Sequence, residues 1–127
     1  MSVVLDTSAL LAILFGEPGA EKVEVHLAHA RMSSVNLAEA VSRVIDKGGP
    51  REDVASGLLS MLGGGVDPFD AEQAISTGSL RPATRAAGLS LGDRACLALA
   101  LSLDAPVLTA DRAWAGLDIG ARIEVVR

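Results

Sequence analysis

Four carboxylates stand at comparable places along the chain, two after short β-branched or apolar runs and two near the start of segments with helical periodicity. They are Asp6, Glu39, Asp93 and Asp111. A donor set made only of carboxylate oxygens, with room for water, suits Mg²⁺ or Mn²⁺. Zn²⁺ is disfavoured, because no Cys or His is placed to join the group. If these side chains meet in the fold, we expect a divalent-cation site that can activate water.

The elements that must position these acids alternate between strands and helices. Short apolar runs predict strands, and longer amphipathic or apolar segments predict helices. The predicted strands cover residues 2–5, 31–34, 66–69, 106–109 and 122–126, and the predicted helices cover residues 9–15, 19–30, 35–47, 51–62, 70–78 and 90–103, with a helical turn at 112–115. This alternation predicts one three-layer α/β domain over residues 1–127, with a mainly parallel sheet of about five short strands flanked by helices.

In such a sheet, the carboxyl ends of the strands and the first turns of the crossover helices lie at one edge, where ligands bind. Asp6 and Asp111 each follow a predicted strand, and Glu39 and Asp93 lie early in predicted helices. We therefore expect all four acids at the same end of the domain, although they are far apart in sequence.

Helix capping is the alternative interpretation of each acid. Asp6 can cap the helix that follows it, and Asp111 can cap the turn at residues 112–115. The segments 36–39 and 90–93 both have the pattern of a capping box, a short polar residue with an acid three positions later. Capping accounts for each acid singly, but it does not explain why all four are predicted at one edge.

The electrostatic repulsion within such a group indicates what it needs. Two carboxylates about 4–5 Å apart repel each other by roughly 3–4 kcal/mol at an effective dielectric constant near 20. Helix N-termini offset only about 0.3–1 kcal/mol each. Four clustered acids therefore need a cation, or some of them take up protons.

Composition excludes several classes of protein. The net charge of −5 disfavours a general nucleic-acid coat, and a chain with no Tyr, one Trp and two Phe cannot build a base-stacking platform. The apolar runs are too short to span a bilayer, and no signal peptide or membrane association is expected. A single cysteine, Cys96, allows no internal disulfide and fits a reducing cytoplasm. Half of the residues are hydrophobic, so we expect some apolar surface to remain for a partner.

The acids stand within four motifs that resemble those of PIN-domain ribonucleases. The motifs are Val-Val-Leu-Asp-Thr-Ser at 3–8, Ser-Ser-Val-Asn-Leu-Ala-Glu at 33–39, Gly-Asp-Arg-Ala-Cys-Leu-Ala-Leu-Ala at 92–100 and Leu-Thr-Ala-Asp-Arg-Ala-Trp at 108–114. Their order and spacing match the family over essentially the whole chain. The length is similar to that of the VapC toxins within this family.

The resemblance implies a metal-dependent endoribonuclease. The four acids would hold one or two Mg²⁺ or Mn²⁺ ions, with Thr109 as a neighbouring hydroxyl, and RNA products would carry 5′-phosphate and 3′-hydroxyl ends. No histidine is required, and His26 and His29 are expected to be ordinary surface or packing residues. Ser8 either orients metal-bound water or caps the first helix. Asp118 is either a supporting acid or a surface loop residue.

Three arginines are candidate contacts to the RNA backbone. Arg94 and Arg112 each follow a candidate ligand, and Arg43 lies one helical turn beyond Glu39. The alternative is that these arginines only screen the acids through ion pairs. Arg94 departs from the commoner family pattern, in which a small residue follows this acid.

The resemblance also implies partners. The first two helices would form a groove for a VapB-type antitoxin with an arginine-bearing tail, and the toxin would be a homodimer. Three other functions compete with the ribonuclease prediction: a haloacid-dehalogenase-type phosphatase, a response-regulator receiver and a catalytically silent PIN-like binding protein. The phosphatase needs an acid where Ser8 stands, and the receiver needs a late lysine, whereas the only lysines are Lys22 and Lys47.

Overall fold

The structure is a computed structural model that describes residues 1–49 and 51–127, without the side chains of residues 51–55. Five short strands form one sheet. They are β1 (Val3–Leu5), β2 (Ala30–Ser33), β3 (Gly65–Asp67), β4 (Val107–Thr109) and β5 (Ile123–Val125). All five predicted strands are present, and no strand end differs from its prediction by more than two residues.

The sheet is entirely parallel and has the order β3-β2-β1-β4-β5. The chain therefore builds outward from β1 to β3 on one side, then returns to add β4 and β5 on the other. The strand order reverses between β1 and β4, and ligands bind at such a switch point in open α/β sheets. Asp6 directly follows β1, and its backbone N–H donates to the carbonyl of Leu108 in β4 at 3.0 Å.

Helices cover both faces of this sheet. They are α1 (Thr7–Leu14), α2 (Ala20–Glu24), α3 (Ser34–Asp46), α4 (Arg51–Met61), α5 (Ala71–Ser79), α6 (Arg81–Thr84) and α7 (Leu91–Leu103), with 3-10 turns at Leu27–His29 and Arg112–Trp114. Side chains alternate across β1, as its pleat requires. Val3 and Leu5 pack with α1 and α3, whereas Val4 packs with α7 and Trp114. The three-layer α/β prediction is confirmed.

The predicted helix over residues 19–30 is wrong in extent. Helix α2 ends at Glu24, a 3-10 turn follows, and β2 begins at Ala30. Val23 in α2 and Ala30 in β2 are both fully buried, so apolar residues of this segment reach the core from a helix and a strand instead of from one continuous helix.

Tertiary hydrogen bonds explain why the helix stops early. The backbone N–H of Gly63 donates to the carbonyl of Leu27 at 3.0 Å, and that of Gly64 donates to the carbonyl of Ala30 at 2.9 Å. A Cβ at Gly64 would lie 2.8 Å from that carbonyl oxygen, so only glycine permits the approach. Pairing of Ala30 with Val3 in β1 then extends the backbone.

None of the helices in residues 1–49 and 51–127 has the length and apolar character needed to cross a membrane.

Candidate functional site

Asp6 lies at the end of the central strand and is only 4% exposed. Its Oδ2 accepts hydrogen bonds from Ser8 Oγ at 2.7 Å and from Thr109 Oγ1 at 2.9 Å. Asp6 makes no side-chain cap to α1, so the capping alternative fails here. Burial raises the pKa of Asp6 to about 6, against the opposing effect of the two hydroxyl bonds and with a smaller contribution from the charge of Asp93.

Ser8 and Thr109 join the ends of β1 and β4 around Asp6. Each hydroxyl donates its proton to the carboxylate and accepts a backbone N–H: Ser8 Oγ from Ala110 at 2.9 Å, and Thr109 Oγ1 from Asp111 at 3.0 Å. The two hydroxyl oxygens lie 3.2 Å apart. The hydroxyls therefore fix the rotamer of Asp6 and the backbone that leads into Asp111.

Glu39 projects from the second turn of α3. Its Oε1 accepts hydrogen bonds from Thr7 Oγ1 at 2.7 Å and from Asn36 Nδ2 at 3.0 Å. The capping-box interpretation of residues 36–39 is wrong, because α3 begins three residues earlier and its cap is Ser33, whose side chain accepts from the N–H of Val35.

Asp93 and Asp111 do serve as caps. Asp93 forms a reciprocal capping box with Ser90 at the start of α7, and Asp111 accepts from the N–H of Ala113 at 2.9 Å. The pKa of Asp93 is raised, chiefly by its partial burial and further by the negative charges of Asp111 and Glu39, although its bonds to Ser90 oppose the rise. Asp93 and Asp111 therefore cap helical segments and also belong to the acidic group.

All four predicted acids line one pocket of about 520 Å³. The full lining is Asp6, Thr7, Ser8, Leu11, Glu17, Glu39, Ser42, Arg43, Asp93, Asp111 and Arg127. Two of these residues, Glu17 and Arg127, were not predicted from the sequence as site residues. Arg127 follows β5 at the same edge of the sheet, so the strand-end argument that located Asp6 also applies to it. Glu17 lies in the loop after α1, where no sequence pattern indicated a site.

Of the three arginines predicted to contact RNA, only Arg43 lines the pocket. Arg112 is exposed, and its Nε donates to the carbonyl of Arg127 at 3.5 Å. Arg94 is 8% exposed and its Nη1 donates to the carbonyl of Thr77 at 3.2 Å. The prediction that Arg94 contacts RNA is therefore corrected: the side chain points back from α7 onto α5, away from the pocket.

The remaining candidates lie outside the pocket. His26, His29 and Asp118 do not line it, and Asp118 is exposed. Cys96 is buried in the core one turn after Asp93, and desolvation, reinforced by the neighbouring carboxylates, raises its thiol pKa well above the usual range. A neutral buried thiol of this kind is a packing group rather than a nucleophile.

The donor set of the pocket fits a divalent cation that keeps part of its hydration shell. Within the described part of the chain, no three acidic, histidine or cysteine side chains converge closely enough to hold one ion among them. Mg²⁺, however, commonly keeps several waters and takes only one or two carboxylates directly. The oxygen donors that line the pocket are carboxylates and hydroxyls, which suit such a hydrated ion, and the guanidinium groups of Arg43 and Arg127 lie beside them.

Comparison with known proteins identifies the fold. A PIN domain family model matches residues 3–119. The chain is similar to VapBC2 from Rickettsia felis, solved with a DNA fragment from its promoter (22% identity, TM-score 0.72, 98% of each chain covered). It is also similar to VapBC-5 from Mycobacterium tuberculosis, a member of the VapBC family of toxin–antitoxin systems (26% identity, TM-score 0.58, covering 100% of this chain and 99% of the other). No curated protein sequence matches it.

Proposed function

The chain belongs to the PIN domain family, and on that premise we propose that it is a Mg²⁺- or Mn²⁺-dependent endoribonuclease that acts as the toxin of a type II toxin–antitoxin pair. The observation that carries this proposal is the convergence of Asp6, Glu39, Asp93 and Asp111 on one pocket from four separate segments. A carboxylate as buried as Asp6 is unfavourable for folding, so its presence at the switch point of the sheet favours a functional role.

The chemistry proposed is hydrolysis of an RNA phosphodiester. A divalent ion held by these acids would lower the pKa of a bound water and neutralise charge as the bond breaks. The residues themselves contribute orientation: Ser8 and Thr109 hold Asp6 in one rotamer, and Ser90 holds Asp93. Attack of water on phosphorus with departure of the 3′ oxygen gives 5′-phosphate and 3′-hydroxyl ends.

The test is cleavage of RNA by the purified protein. We expect cleavage with Mg²⁺ or Mn²⁺ and none with EDTA, and sequencing of the fragment ends should find 5′-phosphates. Cleavage that survives chelation would overturn the metal-dependent mechanism. If the chain binds RNA or a partner but never cleaves RNA under any metal condition, it is the catalytically silent relative considered above.

We propose two protein partners. The VapBC names of the similar structures suggest a VapB-type antitoxin, which would seat against the first two helices and reach the acids with a basic side chain.

We also propose a homodimer. Exposed apolar side chains support a buried interface, among them Ile75 at 72% and Leu91 at 55% exposure.

Arg43 is proposed to contact an RNA phosphate at the pocket. It is exposed, lies one turn beyond Glu39, and forms no ion pair with another residue in the described ranges. We expect Arg43→Gln to raise the KM for RNA about 3- to 10-fold and to reduce the salt dependence of binding by about 0.7 in log–log slope, the value for one phosphate on a single strand. Fluorescence anisotropy with a non-cleavable oligoribonucleotide at several salt concentrations measures both quantities.

Arg85→Gln is the matched control, because Arg85 is an exposed arginine outside the pocket. Equal losses of affinity in the two variants would show that only net charge matters, and the assignment of Arg43 would be abandoned.

A further inference from the structure

We propose that Asn36 is a positioning residue of this pocket: one buried amide, anchored on the helix that carries Asp93, fixes the carboxylate of Glu39. The inference rests on the proposed function for its catalytic consequence, but its geometry stands independently. Asn36 does not touch the proposed reacting atoms and acts only through Glu39.

The two N–H donors of the Asn36 amide point in two directions. The side chain is fully buried in the first turn of α3. Its Nδ2 donates to Glu39 Oε1 at 3.0 Å within the same helix and to the carbonyl of Gly92 in α7 at 3.0 Å. Because Gly92 directly precedes Asp93, the amide that holds Glu39 is anchored on the helix that carries Asp93.

The amide orientation is determined by its surroundings. If Asn36 were rotated by half a turn, its oxygen would face the two acceptor oxygens of Glu39 and Gly92. In the orientation present, Oδ1 is buried and accepts no hydrogen bond from the described residues. An unsatisfied buried acceptor destabilises the folded state, because it gives up its hydrogen bonds to water without replacement. A residue that served stability alone would not leave a buried oxygen without a hydrogen bond, and exceptions of this kind are typical of functional sites.

Thr7 completes the restraint on Glu39. Its hydroxyl donates to the same Oε1 at 2.7 Å, and Thr7 directly follows Asp6. Both restraining bonds therefore end on one carboxylate oxygen, and Oε2 is the oxygen left for water or a ligand. The bond from Thr7 links Glu39 to the segment that carries Asp6, and Asn36 links it to the segment that carries Asp93 through the carbonyl of Gly92.

Gly92 leaves the space that this arrangement needs. A Cβ at position 92 would overlap Oε2 of Glu39. Position 92 is in the first turn of a helix with an ordinary backbone conformation, so the absence of a side chain serves the carboxylate and not a turn. The placement of Glu39 thus depends on an amide on one side and on a missing methyl group on the other.

A double-mutant cycle distinguishes positioning from a general structural role. We expect Asn36→Leu to lower kcat by about 10- to 100-fold and to change KM less than about 3-fold, because outer partners of an acidic site contribute through the ligand that they orient. In a Glu39→Ala background, Asn36→Leu should lower kcat by less than about 3-fold, since the group it orients is absent. Equal losses in both backgrounds would overturn the proposal.

Mn²⁺ affinity gives a readout that does not need turnover. Titration of the RNA-free protein, followed by the electron paramagnetic resonance of free Mn²⁺, should show about 10-fold weaker binding for Asn36→Leu. Gly92→Ala is the second variant, used if Asn36→Leu does not fold, and it should weaken Mn²⁺ binding similarly. Its matched control is Gly78→Ala in α5, where a Cβ meets open space and Mn²⁺ affinity should be unchanged.

The outcomes separate this inference from the proposed function. If wild-type protein binds Mn²⁺ but cleaves no RNA, the proposed function fails and the Mn²⁺ titration still decides whether Asn36 positions the site. If folded Asn36→Leu and Gly92→Ala both bind Mn²⁺ as the wild type does, the positioning role is rejected, whatever the RNA assay shows.

Discussion

Replacing Asp6 with asparagine will abolish RNA cleavage, lowering kcat at least about 10³-fold, as expected when a central member of a catalytic group is removed. Asparagine keeps the shape of the side chain, and its Oδ1 can accept the same hydrogen bonds from Ser8 and Thr109. What disappears is the negative charge at the switch point of the sheet. We therefore expect the loss in activity to be accompanied by a loss of Mn²⁺ affinity in a fully folded protein.

The measurement is single-turnover cleavage of one oligoribonucleotide, with circular dichroism to verify the fold. Asp118→Asn is the matched control, because Asp118 is an exposed acid outside the pocket, and it should cleave as the wild type does. An Asp6→Asn variant that retains more than about a tenth of the wild-type rate would contradict the assignment of Asp6 to the reacting site.

The acids at strand ends could be located from sequence because the sheet is parallel. Asp6 and Asp111 follow β1 and β4, and these strands are neighbours, so the general rule for parallel α/β sheets places both acids at one edge. The same rule extends to Arg127 after β5, which was not predicted as a site residue. Local patterns of this kind predict well where one element determines the position of a side chain.

Contacts between distant segments were not predictable in the same way. The Asn-x-x-Glu pattern at 36–39 has the form of a helix start, but Ser33 is the cap and Asn36 instead bonds to Gly92, which lies 56 residues later. Arg94 stands beside a candidate ligand in sequence, yet successive residues of a helix point in different directions, and its side chain meets α5. Both outcomes depend on how α7 packs, which no local pattern encodes.

The capping interpretation and the site interpretation are compatible because of helix geometry. Asp93 and Asp111 accept N–H bonds at the starts of helical segments, and those starts lie at the edge where the strands end. A cap restrains the rotamer of the acid and leaves lone pairs on the carboxylate free. By accepting from backbone N–H groups at the starts of helical segments, Asp93 and Asp111 also hold their own charges in a fixed place. The two acids therefore stabilise the fold and line the pocket.

The contribution of Asp6 to the stability of the protein should fall as pH rises, whereas the contribution of most carboxylates rises. Because the folded-state pKa of Asp6 is about 6 and the ordinary value is 3.8, the folded protein binds the Asp6 proton more tightly than the unfolded chain does. Stability is therefore lost as pH increases between about 4 and 6, and the full penalty, about 3 kcal/mol for a shift of this size, applies above about pH 7. The raised pKa of Asp93 acts in the same direction.

The difference in unfolding free energy between Asp6→Asn and the wild type isolates this contribution from every other titrating group. In urea titrations with EDTA present, we expect Asp6→Asn to be more stable by about 1 kcal/mol at pH 4.5 and by about 3 kcal/mol at pH 7.5. Saturating Mg²⁺ should reduce the difference in unfolding free energy at pH 7.5, because an ion that binds the ionised folded state stabilises only the wild type. A difference that is flat with pH would mean that Asp6 ionises in the folded protein as easily as in water. If Mg²⁺ left this difference in unfolding free energy unchanged, the buried charge of Asp6 would not contribute to metal binding. The unfavourable burial of that charge would then need another compensating partner, such as a basic side chain supplied by the antitoxin.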